Sequence, residues 1–419
     1  MTCIRIPSSK SDGQRAVLAA ALCEGKSFIY NLGKSDDELK MLEVIQQIGA
    51  NVKFDASNNR YEIVRTVILP KKASLNVGES GLACRLITCV CAAIGGEFLI
   101  EGKGTLKNRS MNFFEVHFNT EKLSAELSEE GRLPIRLSGQ LSADSIEVDG
   151  SESSQYISGL LMAIPLLNRD VTLIVNNLVS KPYVDMTIST LKSFGITISR
   201  TENNFYFNKL SNYLPTSYNV EGDWSSASYW LVASALGVNV SVAGLSLDSK
   251  QADKNILVAF SNAGCSVHES QEGLVIDGSN KKNFSFDATE CPDLFPSLVA
   301  LASFCTGISV IKGVSRLKNK ESDRGSVLQL ECAKIGIRID LKGDNMLIHG
   351  GGNVKGGKIH SHNDHRIAMA FGVIGLVSTE EIVIENPEAV SKSYPVFWED
   401  LLRVKHDRAN AFKNNILYK

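Results

Sequence analysis

The sequence predicts an α/β (α+β) fold of two domains, each built from three repeats with helices buried inside and sheets outside. Three observations predict it. Six times, at a spacing of about 70 residues, a polar cluster opens a short apolar helix of small residues. These helices are expected to start near Ala16, Ala83, Tyr156, Ser226, Ser297 and Arg366. A strand of alternating apolar residues follows each helix. A unit this long, with two helices and several strands, is too complex for the common solenoids. The six repeats therefore divide three and three about residues 219–223, a natural hinge.

The elements follow in the same order within each repeat. After the buried helix, strands read at 25–32, 97–102, 171–175, 240–244, 308–313 and 381–384. In five repeats a second, amphipathic helix comes next. In four of these it runs into Gly49, Gly195, Gly264 or Gly336, where glycine supplies the left-handed residue that ends a helix. Two short strands separated by Asn, Asp or Gly turns are expected to close each repeat, as at 52–54 and 61–64.

Composition narrows the class. The 419 residues are enough for two or three domains with large cores. Net charge is -2, from 44 Lys+Arg against 46 Asp+Glu, so the bulk balance predicts neither nucleic-acid nor membrane affinity. Nine cysteines, several in apolar helical stretches, suit buried thiols in a reducing compartment better than a disulfide framework. The first residues read as no signal or transit peptide, and no uncharged apolar run reaches about 18 residues. The expected location is the cytoplasm.

Chemistry concentrates at the helix starts. Lys10, Ser11 and Arg15 open the first helix, Gly81 and Arg85 the second, and Ser153, Ser154 and Gln155 the third. Ser225 and Ser226, Asp293, and the run from His362 to Arg366 open the others. Helix N-termini offer unpaired N–H groups and roughly half a positive charge. Six such starts with Lys and Arg beside them point to small polyanionic substrates. The densest constellation runs from Arg316 to Arg324 and includes Lys320 and Glu321. Alone it reads equally as a solvated helix start with salt bridges. Asp293 alone reads first as a helix N-cap, and as a base only in the company of the full set.

Five motifs occur together and in order: Pro7-Ser8-Ser9-Lys10-Ser11, the run from Asp149 to Gln155, the run from Val179 to Asp185, the run from Lys320 to Arg324, and Asn363-Asp364-His365-Arg366. In this order they resemble the 5-enolpyruvylshikimate-3-phosphate (EPSP) synthase family, the 3-phosphoshikimate 1-carboxyvinyltransferases. The resemblance implies a two-domain inside-out α/β barrel of six βαβαββ repeats, with domains at 9–220 and at 1–8 plus 221–419. It implies transfer of enolpyruvyl from phosphoenolpyruvate to the 5-hydroxyl of shikimate 3-phosphate, a step of chorismate and aromatic amino-acid biosynthesis. No cofactor or metal, no nucleic acid and no membrane is implied, and a monomer is expected.

By resemblance, shikimate 3-phosphate meets Lys10, Ser11, Arg15, Ser153, Ser154, Gln155, Ser180, Asp293 and Lys320. Phosphoenolpyruvate meets Lys10, Gly81, Arg109, Gln155, Arg324, Arg366 and Lys392. Asp293 is similar to the family's base, Glu321 to its acid, and Lys10 assists both. Charge agrees with this: the two substrates together bring roughly five to six negative charges. Lys10, Arg15, Arg109, Lys320, Arg324, Arg366 and Lys392 can neutralise them without metal.

Several positions depart from the family pattern: Ser8, Glu79, Leu82, Ser110 and Arg316. No role is carried onto Glu79, Leu82 or Arg316. One alternative is a UDP-N-acetylglucosamine enolpyruvyl transferase, which typically uses a cysteine in the loop before the residue matching Arg109; residues 101–109 contain none. Another is a non-catalytic anion-binding repeat protein, which needs the cations but not Asp293 and Glu321 together. His360, His362, Asp364 and His365 also have ligand-like spacing, but Arg366 adjoins them. Residues 352–358 approach a phosphate-loop motif, yet Ile359 follows instead of Ser or Thr, so a hairpin turn is expected.

Overall fold

The computed structural model describes residues 1–65, 69–318 and 320–416, with side chains to Asp407. The chain divides into two compact bodies, Ser8–Glu221 and Met1–Pro7 with Gly222–Lys419.

The first body contains helices α1 (Lys10–Leu22), α2 (Asp36–Gln47), α3 (Gly81–Ile94), α4 (Asn112–Phe118), α5 (Ser154–Ala163) and α6 (Lys181–Ser193). Small side chains let α1, α3 and α5 pack together at its centre, and every residue of α3 is buried. Three four-stranded sheets belong to this body. In the sheet built on Gly96–Glu101, the strand after α3 pairs in parallel with Lys72–Asn76, which precedes that helix. On its other side it runs antiparallel to Ile135–Gly139, half of a hairpin with Leu123–Glu126. The first repeat takes its parallel strand from the far end of the body, where Ser217–Asn219 lies beside Phe28–Tyr30.

The second body contains α7 (Trp224–Ala235), α8 (Ile256–Asn262), α9 (Phe295–Ser303), α10 (Arg324–Lys334), α11 (His365–Val377) and α12 (Phe397–Ile416). Here α7, α9 and α11 are the buried helices, with Trp224 and Trp230 fully enclosed. The strand Thr2–Arg5 joins the sheet that follows α7, parallel to Val240–Ala243. No helix among the described residues is long and apolar enough to cross a membrane.

Gly49, Gly195, Gly264 and Gly336 all have positive φ, between 76° and 97°, as their helix-ending positions require. Three expectations need correction. Residues 352–358 form no hairpin turn, because Asn345–Gly350 and Gly357–His360 lie in different sheets. The first helix starts at Lys10, not near Ala16: Ser9 caps it by accepting from Asp12 N–H, and its polar first turns are themselves buried. The apolar run marked the middle of this helix. Among the described residues the sixth repeat has no closing hairpin, and its sheet is Gly357–His360 beside Ile382–Glu385. The chain after it forms α12 instead, because Phe397 packs on Trp230 with ring centroids 5.4 Å apart. Tyr394 accepts from Trp230 Nε1 at 3.1 Å and donates to Asp400 at 2.7 Å, fixing that helix to the buried core.

Close packing at the centre of the first body depends on Gly159 of α5. A Cβ there would stand 2.7 Å from the Arg85 carbonyl oxygen and 2.7 Å from Cys89 Sγ, both on α3. Gly159→Ala should therefore destabilise the protein by about 1–2 kcal/mol, since overpacking outweighs alanine's helical advantage. A lower urea midpoint with an unchanged slope checks this.

Candidate active site

In the first body, three buried helix starts are joined in a ring of polar contacts. Ser80, the cap of α3, donates its hydroxyl to Gln14 Oε1 of α1 at 2.8 Å. Arg85 of α3 donates to Gln155 Oε1 of α5 at 2.9 Å. Arg15 of α1 donates to Ser158 Oγ of α5 at 3.1 Å and to Thr187 Oγ1 of α6 at 2.7 Å. Gln155 thus faces Arg85 with its carbonyl oxygen, which leaves its amide N–H groups for another acceptor. Burial, opposed by Asp12, pulls the Arg15 guanidinium down to about 10, so it stays cationic at neutral pH.

The other first-body candidates lie at the same helix starts. Lys10 is the first residue of α1 and pairs with Asp37 at 3.1 Å. Ser11 holds Arg15 Nη1 on its carbonyl oxygen at 2.7 Å. Gly81 is the first residue of α3, and a Cβ there would approach Arg109 Nη1 to 2.8 Å and Arg85 Nη1 to 2.9 Å. Only glycine lets two guanidinium groups come so near the backbone. Ser153 caps α5 through Gln155 N–H, and Ser154 is buried as its first residue. Ser180 precedes α6 in a left-handed conformation, φ 51°, with no side-chain bond capping that helix.

In the second body the candidates converge on carboxylates. Asp293, in the 3₁₀ turn Pro292–Leu294, receives Arg324 Nη1 at 2.7 Å, Arg366 Nη2 at 3.0 Å and Lys320 Nζ at 3.2 Å. It caps neither that turn nor α9, which removes the capping reading. Arg324 also donates to Glu321, and Lys392 Nζ lies 4.0 Å from the other Glu321 oxygen. Arg324, 1% exposed, further binds Asp364 through Nε at 2.7 Å. Asp364 is fully buried and caps α11 by accepting Arg366 N–H.

The electrostatics follow from this crowding. Burial is the largest influence on Asp293 and would raise its pKa. Attraction to Arg366, Lys320 and Arg324 outweighs it and holds the carboxyl well below the usual range. Asp253 shows the opposite balance. Burial and the nearby Asp293 charge push it up to about 7 against the pull of Arg366. Burial also lowers Lys320, partly offset by Asp293.

Sequence reading gave no roles to Asp364, Asp253, Asp37 or Gln14. Asp364 had a signal, lying inside the Asn363–Arg366 motif. The other three carry none, because each becomes a partner only when distant helices meet. Glu79 accepts from the Thr105 backbone and hydroxyl at 3.4 and 3.3 Å, within the 3₁₀ turn Gly104–Asn108 that leads to Arg109.

The fold is shared with solved enolpyruvyl transferases. A solved EPSP synthase from Acinetobacter baumannii shares this fold at TM-score 0.78, with 24% identity over 96% of this chain and 95% of that one. The enolpyruvyl transferase NikO from Streptomyces tendae shares it at TM-score 0.73 and 15% identity, over 96% and 94%. The profile of the family EPSP synthase (3-phosphoshikimate 1-carboxyvinyltransferase) matches residues 2–401, and this chain belongs to that family. A 3-phosphoshikimate 1-carboxyvinyltransferase from Clostridium kluyveri is 36% identical over 400 residues, covering 95% of this chain and 93% of that protein. One from Clostridium acetobutylicum is 35% identical over 408 residues, covering 96% and 95%.

Proposed function

We propose that this enzyme transfers the enolpyruvyl group of phosphoenolpyruvate to the 5-hydroxyl of shikimate 3-phosphate and releases phosphate. The observation that carries the proposal is the second-body cluster. There two carboxylates, Asp293 and Glu321, share one buried guanidinium, Arg324, with Lys320, Arg366 and Lys392 around them. Family membership supplies the substrates. Each body corresponds, in this reading, to one enolpyruvyl transferase domain of three repeats.

The chemistry needs an acid and a base at one pH. Protonation of the phosphoenolpyruvate methylene makes its neighbouring carbon electrophilic. The 5-hydroxyl of shikimate 3-phosphate adds there, giving a tetrahedral intermediate that carries a methyl group. Phosphate then leaves as one methyl proton is removed, which restores the methylene of the enol ether. Glu321 delivers the first proton. Asp293 accepts the hydroxyl proton, and the low pKa imposed by its three cations requires a trigger. Substrate oxygens supply it by drawing Arg324, Arg366 and Lys320 toward themselves, which weakens their hold on Asp293 and raises its proton affinity. The same cations stabilise the departing phosphate.

In the first body, Lys10, Ser11, Arg15, Ser153, Ser154, Gln155 and Ser180 are assigned to shikimate 3-phosphate, and Lys10, Gly81, Arg109 and Gln155 to phosphoenolpyruvate. Gln155, oriented by Arg85, donates an N–H. The protein is proposed to act as a monomer in the cytoplasm, where eight buried free thiols suit reducing conditions; sedimentation checks the first point and cell fractionation the second.

Mixing purified protein with both substrates should release phosphate and form the enol ether, while either substrate alone should release none. No phosphate from the pair would reject the reaction. Phosphate release with UDP-N-acetylglucosamine in place of shikimate 3-phosphate would move the protein to the sister activity.

A further inference from the structure

The second-body cluster depends on a loop whose backbone is held in an unfavourable conformation. His362 and Asn363 are adjacent, and both lie in the left-handed region, with φ 54° and 55°. Neither is glycine, so such a pair persists only where its surroundings hold it. The next residue is Asp364, which binds Arg324 and caps the helix carrying Arg366.

What holds the loop is Glu331, fully buried on α10. Its Oε1 meets His362 Nε2 at 2.8 Å, and its Oε2 accepts His360 N–H at 3.0 Å. Lys334 Nζ, 2.7 and 2.8 Å from the two oxygens, balances the buried charge. The His362 N–H donates to His360 Nδ1 at 2.9 Å, so that ring nitrogen carries no proton while the bond exists. On its other side the loop is tied by Ser361 Oγ to Asn386 O at 2.9 Å, and by Asn386 Nδ2 to Asn363 Oδ1 at 3.3 Å. Arg324 and Glu331 sit seven residues apart on α10, two turns along one face. One helix face therefore grips the loop twice, Arg324 through Asp364 and Glu331 through His362.

We propose that Glu331 and His362 form a latch that positions Asp364 and Arg366 for phosphoenolpyruvate. Both are positioning residues, acting through the loop and touching no reacting atom. The inference rests on the assignment of Arg324 and Arg366 to phosphoenolpyruvate. Loosening the latch frees two left-handed residues to relax. It shifts Asp364 and its guanidinium partners by a fraction of an ångström, which is enough to misalign a reacting centre.

The test compares His362→Ala, which removes the N–H donor, with His362→Gln, which keeps an amide N–H within reach of Glu331. Full-length wild type and variants are measured for kcat, for KM of each substrate, for calorimetric binding of each substrate and for thermal midpoint. His362→Ala should lower kcat/KM for phosphoenolpyruvate by about 10- to 100-fold. Shikimate 3-phosphate affinity should stay within about twofold, and His362→Gln should recover to within about threefold of wild type. Glu331→Gln should reproduce the phosphoenolpyruvate-selective loss, because its amide cannot accept from both histidine segments and Lys334. A His362→Ala protein that melts earlier yet keeps its phosphoenolpyruvate kinetics would overturn the latch. So would a His362→Gln protein as impaired as the alanine variant. Wild-type turnover judges the functional reading separately. Direct phosphoenolpyruvate binding by wild type and variants judges the latch even without turnover.

Discussion

Asp293→Asn and Glu321→Gln should each lower kcat by at least about 100-fold, the usual scale for a positioned acid or base. The two variants should differ in binding. Asp293 competes with substrate oxygens for Arg324, Arg366 and Lys320, its partners at 2.7, 3.0 and 3.2 Å. Removing its charge leaves those cations more available, so phosphoenolpyruvate affinity should hold or tighten while turnover collapses. Glu321 shares Arg324 and faces Lys392, and its amide should likewise bind substrate and fail in turnover. Calorimetry beside steady-state rates measures both quantities. Equal loss of binding and turnover would return these carboxylates to a salt-bridge role. Near-normal turnover in either variant would remove that residue from the chemistry.

The repeat pattern was legible because buried helices of small residues, followed by alternating strands, leave a strong periodic trace. Glycines at helix ends were legible for a local reason, their φ. The parallel partners were not. Thr2–Arg5 beside Val240–Ala243, and Ser217–Asn219 beside Phe28–Tyr30, are pairings between distant segments with no local signature. The sixth repeat misled because Ile382–Glu385 resembles its counterparts, whereas the aromatic packing of Tyr394, Phe397 and Trp230 that replaces a hairpin is tertiary. At the candidate site, cations and motif carboxylates could be picked out by type and order. The residues that aim them could not. Arg85 on Gln155, Gln14 on Ser80 and Glu331 on His362 are helix-to-helix or helix-to-loop contacts, which a sequence pattern of one element cannot encode.

Arg324→Met should be the most destabilising single change in the second body. Arg324 is 1% exposed and serves Asp364, Asp293 and Glu321, which are 0%, 19% and 12% exposed. Methionine fills part of the space but leaves three carboxylates crowded around an apolar chain. Breaking a buried ion pair from one side typically costs about 3–5 kcal/mol, which lowers the melting midpoint by roughly 6–20 °C for a body of this size. Two milder contacts persist: Ser322 Oγ still donates to Asp364 at 3.1 Å, and Lys320 still pairs with Asp293. Dependence on pH separates lost charge from lost packing. In the wild type, Asp293 is depressed well below its ordinary value, so its stabilising contribution is fully present above about pH 4 and fades only as pH falls toward that low folded value. Between pH 8 and 5 this contribution is flat. Without Arg324 the crowded carboxylates take protons more readily, so the variant should recover stability relative to wild type as pH falls through this window. Arg324→Lys, which keeps one charge but cannot reach three partners at once, should fall between the two. Thermal midpoints of the three proteins at pH 8, 6.5 and 5 measure the gap. A gap that stays constant with pH would mean that volume, not charge, is what Arg324 contributes.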